Sequence, residues 1–217
     1  SMAGTAGARW RVIRALLFTA ACLLGFTVQA QSYQEGEHYS RLEPPRPVSS
    51  ASKVEVVEFF YYGCPVCYEA EPLVVRWLAQ KGSEVQFVRV PAVPNERWAG
   101  FARTYYALEA IGELARLNWP LYDNHHFDGR RLDEEANLLK WLAGNGVNAE
   151  RFRALRDSPE VAAKVAAAKK MLEDYEIKRV PSFVVGGRYV TSARDAGTAP
   201  EMMKVVDFLV ERAKAAK

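Results

Sequence analysis

Val54-Glu55-Val56-Val57-Glu58-Phe59-Phe60-Tyr61-Tyr62-Gly63-Cys64-Pro65-Val66-Cys67-Tyr68 reads as a strand that runs into a C-x-x-C. Its first nine residues are β-branched, aromatic or mostly apolar, the density of a strand buried on both faces. Beyond the cysteines the apolar residues take helical spacing, with Pro65 suited to a first helical position, Pro72 inside the run and Gly82 as a stop signal. The motif therefore sits at a strand-to-helix junction, its sulfurs one turn apart and Cys64 at the helix N-terminus. Unpaired backbone N–H groups and the helix dipole favour a negative charge there. Thiolate is the nucleophile of disulfide exchange, so the arrangement points to thiol redox chemistry. Cys64 is the expected reacting sulfur. Cys67, one turn further in, is expected to be more buried, to have the higher pKa and to resolve the mixed disulfide.

The N-terminus decides how the remaining composition is read. Arg9, Arg11 and Arg14 precede an apolar run over residues 15–28, and Val28-Gln29-Ala30 offers small residues at a cleavage site. The run matches the ~7–15 residues of a signal h-region and falls short of the ~20 of a membrane span. A cleaved leader over residues 1–30 is expected. The alternatives are a lipoprotein signal at Cys22, disfavoured by Thr19, and an uncleaved anchor. The leader holds three of the 29 Lys+Arg and none of the 26 Asp+Glu, so the rest of the chain is charge-balanced. With no basic tract and no glycine-rich phosphate loop, nothing points to nucleic acid. Only Cys64 and Cys67 remain of the three cysteines. A four-residue ring removes little unfolded-state entropy, so this single pair in an exported chain points to handling disulfides rather than depending on one.

Residues 38–42 could form a brief edge strand, and 85–90 alternate as the next strand. From 94 to 175 the pattern is helical, in segments near 96–111, 113–124, 133–143, 149–157 and 159–175. Then Ser182-Phe183-Val184-Val185 and Arg188-Tyr189-Val190-Thr191 flank Gly186-Gly187, a two-residue hairpin signal. Thr198-Ala199-Pro200-Glu201 is a capping box that opens a last helix to about residue 215. The fold class is α/β: a thioredoxin-like β-α-β half and β-β-α half with a helical domain between them. The expected division is 31–93, an inserted helical domain over 94–167, and 168–217.

Three further features are candidates. Pro181 stands just before the hairpin strand, where a proline can begin a strand; an ordinary trans turn proline is the plain alternative. Glu58 lies in an apolar strand with the parity of Val54 and Val56. It could disfavour negative charge near the cysteines or relay the proton of Cys67, or it could be a paired acid at a strand end. His38, His125 and His126 read as surface or helix-end residues. Trp98, Phe101, Tyr105, Tyr106, Trp119 and Trp141 read as helical-block core rather than a groove. Half of a zinc site is the alternative for the cysteines, but zinc wants four ligands and no second C-x-x-C exists.

Taken together, the chain resembles the DsbA thiol:disulfide oxidoreductases of the bacterial periplasm. Gln34-Glu35-Gly36 with Tyr39, Val57-Glu58-Phe59-Phe60 followed by Cys64-Pro65-Val66-Cys67-Tyr68, and Val180-Pro181-Ser182-Phe183-Val184-Val185-Gly186-Gly187-Arg188-Tyr189 carry the likeness, in order and over nearly the whole mature sequence. The resemblance implies a periplasmic oxidant that uses the Cys64–Cys67 disulfide and no bound cofactor. It implies a cis Val180–Pro181 bond beside the cysteines, where the Val180 backbone pairs with an extended substrate. It also implies an acid such as Glu58 beneath the site, so that Glu58, Pro65 and Val66 tune the sulfurs. The partners implied are newly exported polypeptides and a quinone-linked membrane oxidase of the DsbB type. One residue departs: the family's usual Pro-His between the cysteines is Pro-Val here. Val66 offers no charge or side-chain hydrogen bond to a thiolate, so a weaker oxidant than a Pro-His relative is expected. The rivals are an isomerase or reductase of the same fold and a chaperone-like peptide-binding module. Residues 31–53 are too few for the N-terminal dimerisation region of family isomerases, and a monomer is expected.

Overall fold

Strand β2 (Val54–Phe60) is the spine of the molecule, buried along its whole length. The structure is a computed structural model that describes residues 32–216; the expected leader lies outside them. β2 pairs in parallel with β3 (Val85–Pro91), setting Glu58 opposite Arg89. On its other edge it pairs antiparallel with β4 (Ser182–Val185), which pairs with β5 (Tyr189–Ser192), and β1 (Ser40–Arg41) closes the sheet in the order β1-β5-β4-β2-β3. Parallel neighbours need a crossover, supplied here by helix α1 (Pro65–Lys81), which runs through Pro72. The edge strand expected near 38–42 forms, shortened to two residues.

The hairpin differs from expectation in register. Gly186 and Gly187 both have positive φ, as a tight turn needs, but Val185 pairs with Tyr189 and not with Arg188. Arg188 sits in the turn, its N–H donating to the Val185 carbonyl at 3.1 Å while its own carbonyl accepts the N–H of Leu42, and the Gly187 carbonyl accepts that of Arg46. A Cβ on Gly187 would run into the Arg46 carbonyl, so the incoming N-terminal segment excludes any larger residue there.

Alternation along β2 divides the core. Val54 and Val56 pack with Val74 and Trp77 of α1 and with Met202, Val206, Leu209 and Val210 of α8 (Ala199–Ala215). Val57 and Phe59 point to the other face, among Ala99 and Ala102 of α2 (Glu96–Ala110) and Ala168, Leu172 and Tyr175 at the end of α6 (Pro159–Asp174). Each fully buried side chain of this kind contributes about 1.5–3 kcal/mol. A third cluster unites α2 with α3 (Leu114–His126), α4 (Glu135–Gly144) and α5 (Ala149–Arg156), and it reaches the redox loop through Phe60, Tyr62 and Cys67. α6 is one unbroken helix across residue 167, the expected end of the inserted domain. A short helix, α7 (Ala193–Ala196), was missed by periodicity; its signal was Ser192, whose Oγ accepts the Asp195 N–H.

Candidate active site

Beyond Phe60 the chain must leave the sheet and enter α1 within four residues. Tyr61 stacks on Trp98, with centroids 3.8 Å and planes 11° apart. Gly63 follows because a Cβ there would strike the Tyr61 ring. The Cys64 N–H donates to the Tyr61 carbonyl at 3.0 Å, and Cys64 itself is extended, the N-cap of α1, with Pro65 in the first turn. The junction expected from sequence is thus built as read.

Its consequence is an asymmetric pair of thiols. Cys64 Sγ accepts the Cys67 backbone N–H at 3.2 Å. Hydrogen bonding from the Cys67 thiol and from the Cys67 and Val66 backbone N–H groups outweighs burial and brings Cys64 down to about 7. Val66 therefore contributes through its main chain, while its side chain is exposed. Cys67 is buried, and burial, the neighbouring Cys64 and the charge of Glu58 push its thiol well up. A group near 7 is thiolate for much of the time at neutral pH; its partner stays a thiol.

On one flank stands the hairpin. The Val180–Pro181 bond is cis, and the Cys64 thiol points to the Val180 carbonyl, 3.8 Å away. A groove of about 740 Å³ runs from there between Val66 and Leu73 of α1, Pro181, and Ala193 of α7. Pro181 precedes β4, as its position in the sequence suggested.

Joined to the redox loop through Tyr62 lies a chain of polar groups that sequence reasoning only half found. Arg89 Nε is 2.9 Å from Glu58 and its Nη2 is 2.8 Å from Glu71. Asn118 on α3 donates to Glu71 at 2.8 Å and accepts the Tyr62 hydroxyl at 2.7 Å. Burial raises Glu58 from its ordinary value against the pull of Arg89, and pushes Glu71 up to about 7. Burial alone would lower Arg89, but the two carboxylates hold it charged. Two acids share one guanidinium, so the cluster favours one negative charge fewer than full ionisation. Glu71 had a signal, standing one turn beyond Cys67 on α1. Asn118 had none, because only the folded block brings it here.

The histidines and aromatics divide. His125 accepts the Leu132 N–H through Nδ1, and burial lowers its pKa, so its 4.0 Å approach to Asp133 is not an ion pair. His126 ends α3 as expected, yet its Nε2 reaches the Tyr62 carbonyl. Phe101, Tyr105 and Trp141 are core as read. Trp98 and Tyr106 are partly buried against the core, Trp98 also stacking on Tyr61, while Trp119 is exposed and stacks on Tyr68.

Residues 85–201 match the model of the DSBA-like thioredoxin domain. The chain is 35% identical over 208 residues to the thiol:disulfide interchange protein DsbA of Pseudomonas aeruginosa, covering 94% of this chain and 99% of that one. To the protein of the same name from Azotobacter vinelandii it is 31% identical, covering 95% and 99%. The crystal structure of Pseudomonas aeruginosa DsbA superposes with a TM-score of 0.79 at 34% identity, over 85% of this chain and 96% of that one. The oxidoreductase DsbA from Xylella fastidiosa superposes with a TM-score of 0.78 at 31% identity, over 85% and 100%.

Proposed function

The chain belongs to the DsbA family of thiol:disulfide interchange proteins, and from that premise we propose that its Cys64–Cys67 disulfide oxidises newly exported polypeptides in the periplasm. The observation that carries this reading is the asymmetry of the two sulfurs: Cys64 at about 7 beside an open groove, Cys67 buried with its pKa raised.

A substrate thiolate attacks Cys64 Sγ. The S–S bond breaks, its electron pair passes to Cys67, and Cys67 takes up a proton. A second substrate thiolate then attacks the substrate sulfur of the mixed disulfide, and Cys64 leaves as thiolate. The substrate loses two electrons and gains a disulfide; the cysteine pair gains the electrons. A low Cys64 pKa speeds that last departure and stabilises the reduced product, and both effects make the protein an oxidant. Burial first, then the neighbouring Cys64 and Glu58, oppose a second thiolate, so Cys67 takes up a proton as it leaves. Pro65 keeps the first turn of α1 in helical φ, and the Val66 N–H supports the thiolate. The Val180 main chain is the docking rail: an extended substrate pairs with it as an added strand, which makes binding indifferent to side chains. Regeneration falls to a quinone-linked membrane oxidase of the DsbB type, and the leader over residues 1–30 directs export. The protein acts as a monomer, with its helical block, about residues 94–167, packed around the redox loop as part of the same compact unit.

Equilibration of the Cys64–Cys67 pair with glutathione, alongside rapid mixing of the oxidised protein with a reduced unfolded peptide, tests this. A strongly oxidising potential and fast transfer are expected, with Cys64→Ser inactive. A thioredoxin-like potential would move the protein to the reductases, and a disulfide inert to the peptide would leave only a peptide-binding module.

A further inference from the structure

Helix α3 ends on His126, which in the fold touches both flanks of the C-x-x-C. Its Nε2 lies 2.6 Å from the carbonyl of Tyr62, two residues before Cys64. A carbonyl oxygen only accepts, so Nε2 carries the proton. The imidazole also stacks on Tyr68, the residue after Cys67, with centroids 5.0 Å and planes 17° apart. Tyr68 is held in turn by its hydroxyl donating to Asp123 at 2.8 Å and by the stacked Trp119.

The backbone between these two grips explains why they matter. The Tyr62 carbonyl belongs to the peptide that leads into Gly63, a residue with no side chain to restrain its φ and ψ. The orientation of that peptide sets the direction in which Cys64 leaves the loop. The 3.2 Å contact from the Cys67 N–H to Cys64 Sγ depends on that direction. Tyr62 is tied at its other end as well, its hydroxyl donating to Asn118 of the same helix.

We infer that His126 is a positioning residue for disulfide exchange, gripping Tyr62 and Tyr68 together so that the Cys64 sulfur stays over the Cys67 N–H. This rests on the reading of Cys64 as the exchanging thiol. It gives the helical block a part in the chemistry, although no residue of α3 need touch a substrate. The titratable groups acting on Cys64 include Cys67 and Glu69 from α1, and Cys64 is in turn felt by Tyr61 in the loop before it. Those packed around His126 are Tyr62 and Tyr68 from the redox loop and α1, and Tyr122 and His125 from α3.

Two variants separate the hydrogen bond from the ring. His126→Phe keeps an aromatic ring for Tyr68 and removes the donor; His126→Gln loses the ring and keeps an N–H that can reach the carbonyl. The readouts are the Cys64 titration in the reduced protein, the rate of its alkylation against pH, and the melting temperature of the oxidised form. In His126→Phe the titration should move up by about half to one pH unit, the worth of one hydrogen bond. Alkylation should slow about 3–10-fold at acidic pH and converge with the wild type at alkaline pH. His126→Gln should restore most of the shift. An unmoved titration in His126→Phe, an equal shift in both variants, or a rate loss uniform across pH that follows the melting temperature would each overturn the inference. Failure of the wild-type protein to oxidise a reduced peptide would instead remove the functional reading, while the titration still decides the part of His126.

Discussion

The two flanks of the Cys64–Cys67 pair are built on opposite principles. On the hairpin side Cys64 meets a single main-chain carbonyl, that of Val180, across 3.8 Å, and the space beyond is an open groove. On the helical side the loop is closed. Tyr62 is buried and bonded at both ends to α3, Tyr61 is stacked on Trp98 of α2, and Tyr68 on Trp119 and His126. An exchange catalyst for many polypeptides needs both kinds of wall. The open one must accept varied side chains, so it offers backbone and mostly apolar surface, with Glu69, Arg179 and Arg194 among its lining residues. The closed one must hold two sulfurs and one N–H in fixed relation, so it spends buried hydrogen bonds and aromatic packing on a few atoms.

The most severe way to break the closed wall is to remove its charge. Arg89→Met leaves Glu58 and Glu71 buried with no cation, and should cost about 3–5 kcal/mol at neutral pH, read from denaturant unfolding. The loss should shrink in acid. Both carboxylates already have folded pKa values raised above their unfolded ones, Glu71 to about 7. Such groups contribute stability that is present below the unfolded carboxylate pKa and is lost as pH rises through the folded one. A destabilisation that is equal at pH 5 and pH 8 would mean that the pair does not carry the charge assigned to it.

The open wall is tested more gently. Leu73→Glu adds a charge on the apolar floor of the groove, whose lining already includes Glu69, Arg179 and Arg194, without touching either sulfur. Peptide oxidation should fall about tenfold in kcat/KM, about 1.4 kcal/mol, while reaction with glutathione, too small to need the groove, stays unchanged. Equal losses for both thiols would show that the groove is not where polypeptides lie.

The smallest effect concerns the residue at the meeting of the two walls. The Val66 side chain is exposed and only its N–H serves Cys64. Val66→His should make the pair more oxidising in glutathione equilibrium, where about 30 mV corresponds to about 1.4 kcal/mol for this two-electron couple. An unchanged or lower potential would show that the main-chain donors already saturate the thiolate.

Much of this was legible in one dimension because it is local. The strand β2, the start of α1 at Pro65, the last helix with its Thr198 cap and the helical character of 94–175 follow from side-chain period, capping chemistry and the special torsions of proline. The hairpin was visible in Gly186-Gly187, but its register, with Val185 opposite Tyr189 and Arg188 in the turn, was not. In the site, Cys64, Cys67 and the unusual burial of Glu58 could be read from neighbours in sequence. Arg89 could be recognised as the partner of Glu58 only once β2 and β3 were in register. Asn118 and His126, on a helix of the block, carry no local mark of what they hold.

The sequence by itself determined where the sulfurs sit relative to a strand and a helix, because backbone torsions and hydrophobic period act over a few residues. Those alone place Cys64 at an N-cap and Cys67 one turn inside. The tertiary structure decided what surrounds them: which carbonyl faces Cys64, which cation divides itself between two acids, and which helix closes over Tyr62. These contacts join residues as much as 116 positions apart, as Cys64 and Val180 are. They exist only after the sheet and the helical block have buried their apolar faces and fixed every distance between them.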